Sequence, residues 1–183
     1  MTLTQTINLC KEKRSFSLGC EGQRCRLEFS LMSCAIFFDR DDTIIVDKGY
    51  FIKPEDLEFL PGVLSSLLAI QNSDFLLIMV SNQSGIGRGY FTEIDYKAVQ
   101  ARLDELLRAN GIIFTEYYYC PHSPDDNCEC RKPKPLMALR AAKEFNIDLA
   151  ESYMIGDKDS DIEFGRNFGA KASFRSVREF IER

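Results

Sequence analysis

The sequence predicts an α/β fold in which a mostly parallel sheet is covered by helices on both faces. Three observations predict it. Short apolar runs recur along the chain, the longest being Phe75-Leu76-Leu77-Ile78-Met79-Val80. Such runs read as buried strands. Helix-like segments separate them, and this alternation is the signature of strands buried on both faces.

The elements follow in order. Cys34-Ala35-Ile36-Phe37-Phe38 reads as the first strand, and residues 62–72 as a helix with Pro61 before it. Residues 75–80 are the second strand. Thr92 is placed to cap a long helix that runs to about Asn110 and ends at Gly111. Glu116 to Tyr119 reads as a third strand. Residues 135–146 read as a helix, with Pro135 tolerated in its first turn. Tyr153-Met154-Ile155 is a short strand, followed by a helix from Ser160 to Asn167 and a last strand from Lys171 to Phe174. The arrangement is Rossmann-like, and its ligand site belongs beyond the carboxyl ends of the strands.

Size and charge exclude several classes. At 183 residues the chain fits one domain with a full core. Its 45% apolar and 28% charged residues exclude a mainly disordered chain. A net charge of −5 argues against a basic nucleic-acid-binding surface. The longest apolar run is too short to span a bilayer. Residues 1–31 stand apart: they carry five Lys/Arg against three Asp/Glu, so the remainder carries −7. They are expected to be a flexible N-terminal extension, with Met32 suited to a start and residues 32–183 forming the domain. Seven cysteines are an odd count, and three of them crowd around the single histidine. That argues for a metal site in a reducing compartment, so the expected location is cytoplasmic.

Five polar clusters carry the chemistry. Asp39-Arg40-Asp41-Asp42-Thr43 follows the first strand directly. Two carboxylates one residue apart can divide the labour between nucleophile or cation ligand and general acid/base, and Mg²⁺ suits such oxygens. Ser81-Asn82-Gln83-Ser84-Gly85 follows the second strand and offers neutral donors to an anion. Arg131-Lys132-Pro133-Lys134-Pro135 offers a lysine to neutralise phosphate charge. In Gly156-Asp157-Lys158-Asp159-Ser160-Asp161, Asp157 is placed to join Asp39 at a metal. Asp161 faces the same side once the helix has begun. Cys120, His122, Cys128 and Cys130 provide three thiolates and an imidazole, a closed tetrahedral set for structural Zn²⁺. That inventory suits phosphoryl transfer.

These residues resemble the motifs of the haloacid dehalogenase-like phosphatases: Asp39-x-Asp41-x-Thr43, Ser81-Asn82, Lys132 and Gly156-Asp157-x3-Asp161. Within that group, four stretches are similar to the D-glycero-D-manno-heptose-1,7-bisphosphate 7-phosphatase family. They are Asp47-Lys48-Gly49-Tyr50, the segment from Ser81 to Phe91, the Cys120-to-Lys132 loop and Tyr153-Met154-Ile155-Gly156-Asp157-Lys158; the similarity covers about residues 34–175. The resemblance implies a minimal cap, an aspartyl-phosphate on Asp39, and Asp41 as general acid and then base. It implies Mg²⁺ on Asp39, Asp157 and the Asp41 carbonyl, with Ser81 and Lys132 on the phosphoryl group. Asp47, Lys48, Gly49, Tyr50, Asn82, Gln83, Ser84, Arg131 and Lys158 are implied to line the substrate pocket. The expected partner is a small sugar phosphate, without nucleic acid or membrane, and the expected state is a monomer. The implied pathway supplies activated heptose for lipopolysaccharide or other surface glycans.

Two positions depart from that family, Asp42 and Leu136, where glycine is usual. Asp42 adds negative charge beside the nucleophile, so Asp42→Gly is expected to raise turnover. Two other readings stay open: a histidinol-phosphate phosphatase, which shares the motifs and the zinc loop, and a non-catalytic zinc-binding relic.

Overall fold

The computed structural model describes residues 14–21, 24–49 and 53–182. Within the N-terminal extension, β1 (Arg14–Glu21) and β2 (Arg24–Leu31) pair antiparallel, from Arg14 opposite Leu31 to Glu21 opposite Arg24. Residues 1–13 and 22–23 of the 1–31 segment lie outside the described residues.

The central sheet contains β3 (Cys34–Phe38), β4 (Phe75–Asn82), β5 (Glu116–Cys120), β6 (Tyr153–Ile155) and β7 (Ala172–Phe174). Its order is β5-β4-β3-β6-β7, with every pairing parallel. β3 lies in the middle because all five of its residues are buried and none needs solvent. Alternate side chains serve opposite layers. Ile36 and Phe38 pack with Leu67 of α1 (Val63–Gln71), with Leu103 and Leu107 of α3 (Glu93–Ala109), and with Phe180 of α6 (Val177–Ile181). Ala35 and Phe37 pack with Met137 and Ala138 of α4 (Leu136–Phe145) and with Phe164 and Phe168 of α5 (Asp159–Phe168). Burying one such phenylalanine stabilises the fold by about 2–3 kcal/mol.

Helix ends fall where the local chemistry puts them. Thr92 caps α3: its Oγ1 accepts from Asp95 N at 3.2 Å, and its own N–H donates to Asp95 Oδ2 at 2.8 Å. Past Asn110, Gly111 takes φ +75°, which stops the helix. Several bounds differ from the sequence expectation by one or two residues. β4 runs on to Asn82 because its ladder continues, Ser81 opposite Tyr119 and Asn82 opposite Cys120. α5 starts at Asp159, since Asp161 Oδ2 accepts from Lys158 N at 3.1 Å. The short α2 (Ser84–Gly87) and α6 lack enough length to show a period.

The chain leaves β3 toward β4 and β5, then returns to β6 on the other side of β3. That reversal opens a crevice at the carboxyl ends of β3, β4 and β6, where most of the polar clusters gather.

Candidate active site

Asp39 is the first residue beyond β3, and its N–H donates to Ile155 O of β6 at 2.8 Å. The loop folds back at once: Ile44 N and Ile45 N both donate to Arg40 O, at 2.9 and 3.1 Å. The turn puts Asp42 in the left-handed region at φ +57°. Glycine takes that conformation without strain. Here the aspartate is exposed, and its Oδ1 accepts from Asp47 N at 2.9 Å.

Lys132 reaches Asp39 from the loop between β5 and α4. Its Nζ donates to Asp39 Oδ1 at 2.6 Å and to Val80 O at 2.9 Å. Asp161 Oδ1 lies 2.6 Å from the same nitrogen as a charge contact. Asn82 holds the lysine backbone from both sides: Lys132 N donates to Asn82 Oδ1 at 3.0 Å, and Asn82 Nδ2 donates to Lys132 O at 3.1 Å. Burial pushes the Asp39 carboxyl up to about 7; Lys132 opposes that, and Asp161 and Asp41 reinforce it. Burial works against the Lys132 charge, but Asp39 and Asp161 outweigh it and hold the ammonium above its ordinary value.

The Asp41 carboxylate is gripped by donors. Gln83 Nε2 donates to Asp41 Oδ2 at 2.8 Å and to Ser81 Oγ at 2.7 Å, and Ser81 Oγ stands 3.5 Å from Asp41 Oδ2. Asp157 follows β6, and Thr43 Oγ1 lies 3.4 Å from its Oδ1. Burial raises the Asp157 carboxyl above its usual range. Carboxylate oxygens of Asp39, Asp157 and Asp161 lie within 4.8 Å of one another, a donor set that fits a hard divalent cation. Gly156 permits this approach, since a Cβ there would stand 2.5 Å from Asp161 Cβ.

Cys120, His122, Cys128 and Cys130 also converge, with donor atoms within 4.8 Å of one another. Cys120 Sγ is 3.4 Å from Cys128 Sγ and 3.2 Å from Cys130 Sγ, while His122 Nδ1 is 3.6 Å from Cys120 Sγ. A tetrahedral ion with Zn–S of about 2.3 Å sets sulfurs roughly 3.8 Å apart. The four side chains therefore suit a closed metal site, and Arg131 and Lys132 follow directly after Cys130.

A cavity of about 420 Å³ opens beside Asp41. Of the residues expected at a substrate pocket, Asp47, Gly49, Asn82, Gln83, Ser84, Arg131 and Lys158 line it. Lys48 does not: its Nζ donates to Asp56 O at 2.9 Å and pairs with Glu58 at 3.1 Å, which turns it away. Tyr50 lies outside the described residues. Arg40 and Tyr96 also line the cavity, and sequence reasoning gave neither a role. Arg40 was visible between the two carboxylates; Tyr96 carried no signal beyond its place on a helix.

Residues 129–174 match the HAD-hydrolase-like family model. A D-glycero-beta-D-manno-heptose-1,7-bisphosphate 7-phosphatase of Helicobacter pylori is 44% identical over 138 residues, covering 75% of this chain and 80% of the relative. The protein of that name from Escherichia coli K12 is 40% identical over 151 residues, covering 78% and 79%. This chain belongs to the D-glycero-D-manno-heptose-1,7-bisphosphate 7-phosphatase family. Its members share the fold as well as the sequence. A crystal structure of a D,D-heptose 1,7-bisphosphate phosphatase from B. bronchiseptica, complexed with magnesium and phosphate, superposes with a TM-score of 0.70. It is 31% identical and is matched over 75% of this chain and 77% of that one. The chain is thus a phosphoric monoester hydrolase of haloacid dehalogenase-like fold. No helix among the described residues is long and apolar enough to cross a membrane.

Proposed function

We propose that this phosphatase removes the C7 phosphate of D-glycero-D-manno-heptose 1,7-bisphosphate, in the synthesis of activated heptose for lipopolysaccharide or other surface glycans. The observation that carries the reading is the buried Lys132 ammonium, 2.6 Å from Asp39 Oδ1, with Asp41, two residues along the chain from Asp39, on the cavity wall.

In this reading an Asp39 carboxylate oxygen attacks phosphorus in line with the ester oxygen. Asp41 gives its proton to that oxygen as the P–O bond breaks, and the C7 alcohol leaves. The phosphoryl group is then an acyl phosphate on Asp39. Asp41, now a carboxylate, takes a proton from water, whose oxygen attacks phosphorus and releases phosphate. Lys132 offsets the charge on the phosphoryl oxygens, and Ser81 donates to them. Mg²⁺ on Asp39, Asp157 and the Asp41 carbonyl would add a fixed positive charge for those oxygens. Asp161 holds Lys132 in place.

Zn²⁺ on Cys120, His122, Cys128 and Cys130 is the structural ion of this reading. Those four side chains would hold it, and the loop that delivers Arg131 and Lys132 would be fixed thereby. Arg131 and Lys158 supply positive charge on the cavity wall, which suits a substrate with a second phosphate. The protein works as a cytoplasmic monomer on a small molecule.

The test is phosphate release with Mg²⁺, comparing heptose 1,7-bisphosphate with histidinol phosphate, with Asp39→Asn as control. Strong preference for the heptose, abolished in the control, is expected. Preference for histidinol phosphate overturns the substrate, and absence of turnover in a folded, zinc-bound protein overturns the activity.

A further inference from the structure

Arg40 separates the two catalytic aspartates in sequence, and its side chain is only 5% exposed. Its Nε donates to Asp41 Oδ1 at 3.0 Å, and its Nη2 donates to Asp41 Oδ2 at 3.2 Å. Nη2 also stands 3.0 Å from Oδ1, so that oxygen sits in the fork between Nε and Nη2, and one planar guanidinium restricts its direction as well as its distance. The guanidinium carbon lies over the Tyr96 ring, 5.3 Å from its centroid. Tyr96 is buried in turn, and its hydroxyl stands 3.4 Å from Gln100 Oε1, one turn along α3. The support is therefore a stack: helix, aromatic ring, guanidinium fork, carboxylate.

The stack is costly. Arg40 Nη1 is buried without a hydrogen-bond partner among the described residues. A buried donor left unpaired is destabilising, and more so when charged. A pair between neighbouring residues on a surface contributes little and would not hold an arginine in such a place.

We infer that Arg40 is a positioning residue for Asp41. The fork aims the Asp41 carboxyl at the ester oxygen, Tyr96 keeps the fork flat, and Gln83 completes the hold on Oδ2. The inference rests on the reading of Asp41 as general acid and base. The step it serves is the proton transfer: the Asp41 proton goes to the ester oxygen, and the electrons of the breaking P–O bond stay on that oxygen. A sugar alkoxide needs the proton, whereas nitrophenolate leaves without it.

The test compares two esters in Mg²⁺-loaded protein: heptose 1,7-bisphosphate and p-nitrophenyl phosphate. In Arg40→Gln the first-turnover rate on the heptose ester is expected to fall by about 30- to 100-fold at saturation, no more than the lower end of what acid catalysis supplies, because Asp41 itself is still present. Its KM stays near wild type, and so does the nitrophenolate burst rate. Arg40→Lys does not restore the heptose rate, because one ammonium cannot make the fork. Tyr96→Leu gives a smaller loss with the same ester selectivity, which decides the matter if Arg40→Gln does not fold. Equal losses on both esters overturn the inference. So does a change confined to KM, which would make Arg40 a substrate contact. If the wild type prefers another alkyl phosphate, the comparison uses that ester, so failure of the heptose assignment is read separately.

Discussion

Lys132 and Asp161 form an ion pair at 2.6 Å in which both side chains are almost wholly buried. The same ammonium also meets Asp39, so a single cation separates two buried carboxylates. Removing one partner of a buried pair leaves uncompensated charge. Lys132→Met is therefore expected to lower stability by about 3–5 kcal/mol. It should also lower kcat/KM by at least roughly a hundredfold, as when one charge-stabilising donor is lost. Chemical denaturation and phosphate release check the two effects separately. Stability equal to wild type would show that the pair is not the keystone of the site.

Much of this site is legible in the sequence because strands announce themselves. Cys34–Phe38 is apolar without a break, so the polar residues after it must lie at a strand end. The same logic places Ser81 and Asp157. The four metal-type side chains declare themselves by residue type and crowding. What the sequence hides is which side chains meet. That Asn82 holds the Lys132 backbone, that Tyr96 lies under Arg40, and that Lys48 turns to Asp56 all depend on tertiary placement. No spacing rule encodes contacts between residues 50 positions apart, as Asn82 and Lys132 are.

Metal removal tests the loop. Cys120 is buried, but the Pro124–Asp126 turn beyond it contributes no buried residue. With little apolar support, the segment would depend on the proposed metal to stay folded. Chelation of Zn²⁺, or Cys128→Ser, is expected to lower the melting temperature and cut kcat, although none of the four ligands touches the reacting atoms. Lys132 follows two residues after Cys130, so disorder in the loop withdraws the ammonium from Asp39. Full activity in zinc-free protein, with metal content measured, would contradict this.

Asp42 adds an exposed negative charge near Asp157, and after burial it contributes to the raised Asp157 carboxyl. Its left-handed backbone favours glycine, but its side chain also accepts from Asp47 N. The gain in backbone ease and the loss of that bond oppose each other, so Asp42→Gly should change stability by less than about 1 kcal/mol. The electrostatic effect is the larger one. KM for the bisphosphate should fall about two- to threefold at low ionic strength and return to the wild-type value in high salt, because exposed charges are screened. A KM that ignores salt would assign the effect to backbone geometry instead.

Gly156 tests how tightly Asp161 is packed beside the proposed Mg²⁺ site. A Cβ at this position would stand 2.5 Å from both Cβ and Cγ of Asp161 and 2.6 Å from Oδ2. Those atoms are not a free side-chain end: Oδ2 accepts from Lys158 N at the start of α5, and Oδ1 meets Lys132. Asp161 has no exposed surface to retreat toward. The methyl of Gly156→Ala must therefore push the helix start outward or break the Lys132 contact. Overpacking of this kind costs about 1–3 kcal/mol. Breaking the contact frees Lys132 from one of its two carboxylates, so kcat should fall well beyond the effect of the stability loss at a temperature where the variant is fully folded. Apparent Mg²⁺ affinity should weaken with it, since Asp157 sits next to the added methyl. A variant that melts lower yet keeps wild-type kcat and Mg²⁺ dependence would show that the helix moves as a unit and carries the carboxylates with it.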